Sequence, residues 1–122
     1  MNERVPSNFD FDYQQLLARV DNDRELLHEL LKVFKEEFPR HLQALREAVG
    51  CGDGKLVAAA AHTLKGMLLN MAAGHASASA ARLEQMGHSG KKPGFPGALA
   101  AFENDVAILL PQLDAFVAEV HR

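Results

Sequence analysis

The chain has a single cysteine, Cys51, so no disulfide can form within it, and that usage fits a reducing compartment. A cytoplasmic location is expected. Cys51 lies in the turn Gly50-Cys51-Gly52-Asp53-Gly54 and reads as an incidental exposed thiol. No apolar run approaches the ~20 residues of a membrane helix, and the opening MNERVPSN lacks the apolar core of a signal peptide. Neither a membrane span nor a leader is expected. Glycine-rich nucleotide loops and clustered carboxylates for magnesium are also missing, which argues against an autonomous kinase or phosphatase. The motif H-E-x-x-H is absent, and no two histidines stand three or four residues apart, so a metal site is not expected. A formal charge of −3 with no evident basic face argues against a general nucleic-acid binder.

What remains is an ordinary composition, 48% hydrophobic and 24% charged over 122 residues, which suits one domain burying roughly two-thirds of its unfolded surface. Residues 1–8 read as a loose polar arm and 9–120 as the domain. A short helix is predicted over Phe11–Val20, followed by a turn at Asp21-Asn22-Asp23 with Asp23 as N-cap. Leu27, Leu30, Leu31, Phe34, Phe38, Leu42, Leu45 and Val49 recur at helical steps over Arg24–Val49, and their phase survives Pro39, so one bent helix is expected. His28 and His41 fall outside that stripe and read as surface residues. A helix over Lys55–Ala73 and a thinner one over Ala76–Met86 follow, the latter inward at Ala76, Ala80 and Leu83. Gly87 to Gly97 reads as a loop, and Leu99, Phe102, Val106, Leu109, Leu113, Phe116 and Val120 mark a last helix over Ala98–Val120, with Pro111 inside it. No strand pattern occurs. The fold class is therefore all-α, an antiparallel four-helix bundle with an additional short N-terminal helix.

The helix over Lys55–Ala73, capped by Asp53, carries the chemistry. At about 100° per residue, Val57, Ala60, Ala61, Leu64, Leu68 and Met71 form one buried stripe. His62 points ~160° away from Leu64 and shares its side with Lys55, Ala58, Ala59, Lys65, Gly66, Leu69 and Ala73. Glycine inside a helix costs about 0.5–1 kcal/mol relative to alanine, so Gly66 needs a reason. Helical side chains lean toward the N-terminus, and a side chain at 66 would crowd the imidazole of His62. Gly66 therefore leaves a ring edge open; close helix packing is the competing explanation.

His62-Thr63-Leu64-Lys65-Gly66, followed by Asn70-Met71-Ala72-Ala73 and Leu83-Glu84, resembles the histidine-containing phosphotransfer (HPt) domain of multistep phosphorelays, with its A-H-x-L-K-G core, N-L-G-A continuation and L-E on the next helix. The resemblance covers roughly residues 9 to 118. It implies that His62 is the phosphoacceptor, phosphorylated by the aspartyl phosphate of a receiver domain, that Lys65 helps hold the phosphoryl group, and that Gly66 clears the approach. Two positions depart from the pattern. Met67 stands where a small residue is usual and lies at the flank of the buried stripe. Ala72 replaces the usual glycine and is expected to let the helix run on to Gly74.

Transfer between aspartate and histidine requires in-line geometry, charge neutralisation and a neutral imidazole nitrogen, which histidine offers near pH 7. His62 and Lys65 supply these here, and Glu84 or Gln85 is a candidate to orient the other ring nitrogen. No cofactor is expected on this chain; the resemblance places magnesium and the acceptor carboxylate on the receiver. A monomer is expected, a phosphocarrier rather than an enzyme, partnered by response-regulator receivers or that of a hybrid sensor kinase. Lys55, Ala58, Ala59, Leu69 and Ala73 form the expected docking surface around His62. The alternative is a helical adaptor using the same face without phosphotransfer.

Overall fold

A computed structural model describes residues 9–121; the arm expected over residues 1–8 lies outside them. Three aspartates start three helices. The side chains of Asp12, Asp23 and Asp53 accept from the backbone N–H of Gln15, Leu26 and Leu56 at 3.0–3.2 Å, opening α1 (Tyr13–Arg19), α2 (Arg24–Cys51) and α3 (Gly54–Asn70). Helix α4 spans Gly74–Ser89, a single 3-10 turn spans Lys92–Gly94, and α5 spans Phe95–His121. Helices α2 to α5 pack as α2 on α3, α3 on α4, α4 on α5 and α5 on α2, closing the antiparallel bundle. Helix α1 covers one end through Phe11, Leu16 and Val20, all buried.

The inward stripes are those that the helical periods pick out: Leu27, Leu31, Phe34, Phe38 and Leu45 from α2, Val57, Ala61, Leu64 and Leu68 from α3, and Phe102, Val106, Leu109 and Leu113 from α5. Both α2 and α5 continue through their prolines, Pro39 and Pro111, each at an exposed position. The N-terminal segment is tied down twice. Phe9, Phe11 and Tyr13 cluster with Phe116, and the Asp10 N–H donates to Gln112 Oε1 at 2.7 Å.

Several expectations fail at helix ends. The segment from Gly87 to Gly97 is not a loop: α4 continues to Ser89, and α5 begins at Phe95, which is buried. Phe95 extends the 3-4 alternation of α5 backward by one step, and Pro96 suits a first helical turn, where its missing N–H has no helical acceptor to lose. At the other end Val117 is buried, whereas Phe116 and Val120 are half-buried. His41 is likewise half-buried.

Ala72 does not prolong α3. The helix stops at Asn70, Ala72 takes the left-handed conformation with φ 57°, and the N–H groups of Ala72 and Ala73 return to the carbonyls of Leu69 and Leu68 at 3.0 and 2.9 Å. This is a Schellman ending built on alanine, where glycine would be unstrained. Ala73 then turns inward and is fully buried.

Candidate functional site

The position of the site is fixed by a seam between α3 and α4. A Cβ built on Gly54 would lie 2.5 Å from the carbonyl oxygen of Gly87, and one on Gly87 would lie 2.6 Å from the carbonyl oxygen of Gly54 and 2.7 Å from the backbone nitrogen of Ala58. Backbone meets backbone here, as only glycine permits. One helical turn before Gly87 in α4 stands Glu84, and it faces His62 across the seam.

His62 is exposed on the outer ridge of α3, with 68% of its side chain accessible, while the side chain of Glu84 is only 18% accessible. His62 Nδ1 and Glu84 Oε2 are 3.0 Å apart, and Lys65 Nζ donates to Glu84 Oε1 at 2.8 Å. The Lys65 contact holds the Glu84 carboxyl below its ordinary range; burial opposes this, and the hydrogen bond from His62 adds to it. An ionised carboxylate can only accept, so Nδ1 is the nitrogen that donates to it, and in the neutral ring Nε2 keeps its lone pair. Nε2 has no partner among the described residues and faces outward. The arrangement therefore presents an oriented imidazole nitrogen to anything that approaches the ridge, backed by an anion and a lysine.

Gly66, one turn beyond His62, is exposed, and a Cβ built on it meets nothing within 4 Å. Close helix packing therefore does not explain this glycine. Alanine has room here, and only a longer side chain reaches toward the ring. Of the two residues considered as orienting groups, Glu84 contacts the imidazole. Gln85 is exposed and makes no hydrogen bond to His62; it lines a shallow cavity of about 230 Å³ with Lys65, Ala81, Glu84 and His88. His88 Nε2 stands 3.9 Å from Glu84 Oε2, beyond hydrogen-bond reach.

The expected docking surface needs two corrections. Lys55, Ala59 and Leu69 are exposed along the ridge with His62 and Gly66, but Ala58 is 3% exposed and Ala73 0%. Ala58 lies on the flank of α3 that closes against Gly87, and Ala73 lies beyond the end of the helix, so the helical wheel does not apply to it. Apolar surface that the reading of α3 alone did not anticipate is contributed by α2, whose Leu26 and Val33 are about half exposed and line a groove with Arg19, Leu30 and Asn70. A neighbouring groove joins Leu30 and Val33 to Thr63, Met67 and Asn70 of α3. The signal for these residues was present in the α2 periodicity, since Leu26 and Val33 fall outside its inward stripe.

No curated protein sequence matches this chain. The crystal structure of histidine-containing phosphotransfer protein B (HptB) from Pseudomonas aeruginosa PAO1 is similar in fold, with a TM-score of 0.84 at 22% identity over 93% of this chain and 98% of that one. Residues 29–121 match the Hpt domain, a span that takes in most of α2, all of α3 to α5, and the His62–Glu84 pair. By that match the chain belongs to the Hpt domain family.

Proposed function

We propose that this protein is a phosphorelay intermediate in which His62 Nε2 takes a phosphoryl group from the aspartyl phosphate of a receiver domain and passes it to a receiver in turn. The observation that carries this reading is the 3.0 Å contact of His62 Nδ1 with Glu84 beside an exposed, unpartnered Nε2. The Nε2 lone pair attacks phosphorus as the bond from phosphorus to the receiver's carboxylate oxygen breaks. The carboxylate leaves on the receiver, and the Nε2–P bond forms. The ring gains positive character while its Nδ1 proton stays in place, and the Glu84 carboxylate stabilises that charge. Lys65 lies one turn from His62, so its ammonium is available to the phosphoryl oxygens, while Gly66 keeps the in-line approach clear. The chain acts as a carrier; the receiver supplies magnesium and the aspartate.

The docking footprint of the receiver is the ridge Lys55, Ala59, His62, Gly66 and Leu69, extended by Leu26 and Val33 of α2. Incubation with phosphorylated receivers is expected to label the protein with an acid-labile, base-stable phosphate, and His62→Gln to abolish the label with the fold intact. Label persisting in that variant, mapped to His28 or His75, would reject the assignment. Binding of a receiver by the wild type with no label on His62 would leave only an adaptor.

A further inference from the structure

The overall charge conceals a strong internal division. Residues 54–102 hold five cationic side chains, Lys55, Lys65, Arg82, Lys91 and Lys92, against one carboxylate, Glu84; the rest of the chain holds eight against fifteen. Three of the five gather at one end of the ridge. Lys55 lies two turns before His62 on α3, about 10 Å along the axis and within ~20° of the same line. Lys91 and Lys92 are in the turn between α4 and α5. The seam at Gly54 and Gly87 brings that turn against the start of α3, and a Cβ on Gly52 would lie 3.8 Å from Lys92 Cδ, so the Lys92 stem runs over the turn between α2 and α3. All three lysines are exposed, and none makes an ion pair among the described residues. The nearest carboxylate in sequence, Asp53, is engaged by the Leu56 N–H that it caps.

We propose that Lys55, Lys91 and Lys92 form a cationic rim that docks an acidic surface of the partner receiver and orients it over His62. This rests on the phosphotransfer reading for the identity of the partner. Charge complementarity selects the occupant. An acidic protein is attracted at this end of α3 and repelled by the acidic remainder of the chain, so encounters are biased toward the face that carries Nε2. The rim is continuous with the ridge, and the other end of the ridge is apolar at Leu69, Leu26 and Val33. The face thus offers one charged and one apolar contact on either side of the histidine, which fixes both the position and the direction of the docked partner.

The test measures Kd and second-order transfer rate for the full chain against a panel of purified receiver domains, at about 20 and 200 mM salt, which spans weak to strong screening. For the receiver bound most tightly, wild-type association is expected to weaken at least tenfold as salt rises. The Lys91→Glu/Lys92→Glu variant is expected to bind about tenfold more weakly at low salt and to lose most of the salt dependence, with an unchanged far-UV circular dichroism spectrum. Equal Kd and equal salt dependence in wild type and variant would overturn the proposal, as would a wild-type Kd indifferent to salt, a measurement that needs no variant. Absence of binding to any receiver, with salt-sensitive binding of duplex DNA instead, would assign the rim elsewhere and overturn it too. Failure of the phosphotransfer reading looks different: phosphoramidate, a small phosphoryl donor, would leave wild-type His62 unlabelled while salt-dependent receiver binding persisted.

Discussion

Gly66 and Gly87 stand on neighbouring antiparallel helices, and each sits inside a helix at the same intrinsic cost of about 0.5–1 kcal/mol. Their surroundings are opposite. Around Gly66 a methyl group would find open space, whereas around Gly87 it would strike two backbone atoms below 3 Å. One glycine borders open space, and the other lets two helices of the fold touch. The same residue type thus stands on the ridge and in the seam in unrelated surroundings. Only the neighbours, and not the residue, say which.

The sharpest way to separate them is to add one methyl group at the seam. Gly87→Ala places a Cβ against the Gly54 carbonyl and the Ala58 nitrogen, and backbone atoms cannot rotate away, so α3 and α4 must part. A loss of about 1–3 kcal/mol is expected, seen as a lower melting temperature. Transfer should slow as well, because Glu84 rides on the preceding turn. A variant as stable as wild type would show that the seam is not tight. Gly66→Leu should do the reverse. Leucine is a better helix former by about 0.8 kcal/mol, so the melting temperature should equal or exceed that of wild type. Its side chain leans back over His62, where a displacement of about 1 Å can cost 100-fold, and transfer is expected to fall at least tenfold. Normal transfer would end the open-edge argument; unfolding would turn Gly66 into a second seam.

Ala72 tests the comparison from the side of a glycine that is missing. Its left-handed φ costs about 1–2 kcal/mol, and losing its buried methyl costs about 0.8, so Ala72→Gly should stabilise by about 0.5 kcal/mol in urea unfolding, leaving transfer unchanged. Destabilisation would mean that the methyl group matters more than the dihedral.

An equally small effect concerns Glu84, which spans seam and ridge. Its carboxyl titrates below the ordinary value of 4.5, chiefly because Lys65 donates to it. A depressed folded-state pKa contributes stability that is complete above the unfolded value and is lost as pH falls through the folded one. The stability advantage of wild type over Glu84→Gln should therefore shrink between pH 6 and pH 3, by on the order of 0.5 kcal/mol for so partly exposed a pair. Parallel urea curves at the two pH values would remove the ion pair from the stability of the site.

The sequence disclosed the inward stripes well, because burial repeats and each helix samples it many times. Asp23 and Asp53 were legible as caps because the carboxylate acts within three residues. The ends of α4 and α5 were not. Gly87-His88-Ser89-Gly90 carries every local mark of a loop, and those marks are outweighed by a contact with Gly54, 33 residues away. Ala58 failed for a related reason: a helical wheel separates inside from outside but does not say on which flank the next helix lies. Phe95 was recoverable, since it continues the alternation of α5. Among the site residues, His62, Lys65 and Gly66 follow a local pattern, and their exposures fit it; the choice of Glu84 over Gln85 required the crossing of α3 and α4.

The carbonyls that end α3 have a kinetic meaning. Leu69 O accepts from Arg19 Nη1 at 2.6 Å and Ala72 O from the Asp12 N–H at 2.9 Å, across 50 and 60 residues of chain, whereas His62 and Glu84 are 22 residues apart. The cost of closing a loop grows with its length, so the α3–α4 hairpin is expected to assemble before the N-terminal segment lands on it. The same order should run backward in the native state. Amide exchange at residues 13–19 is then faster than at 61–68, and the imidazole stays bonded to Glu84 while α1 lifts and returns.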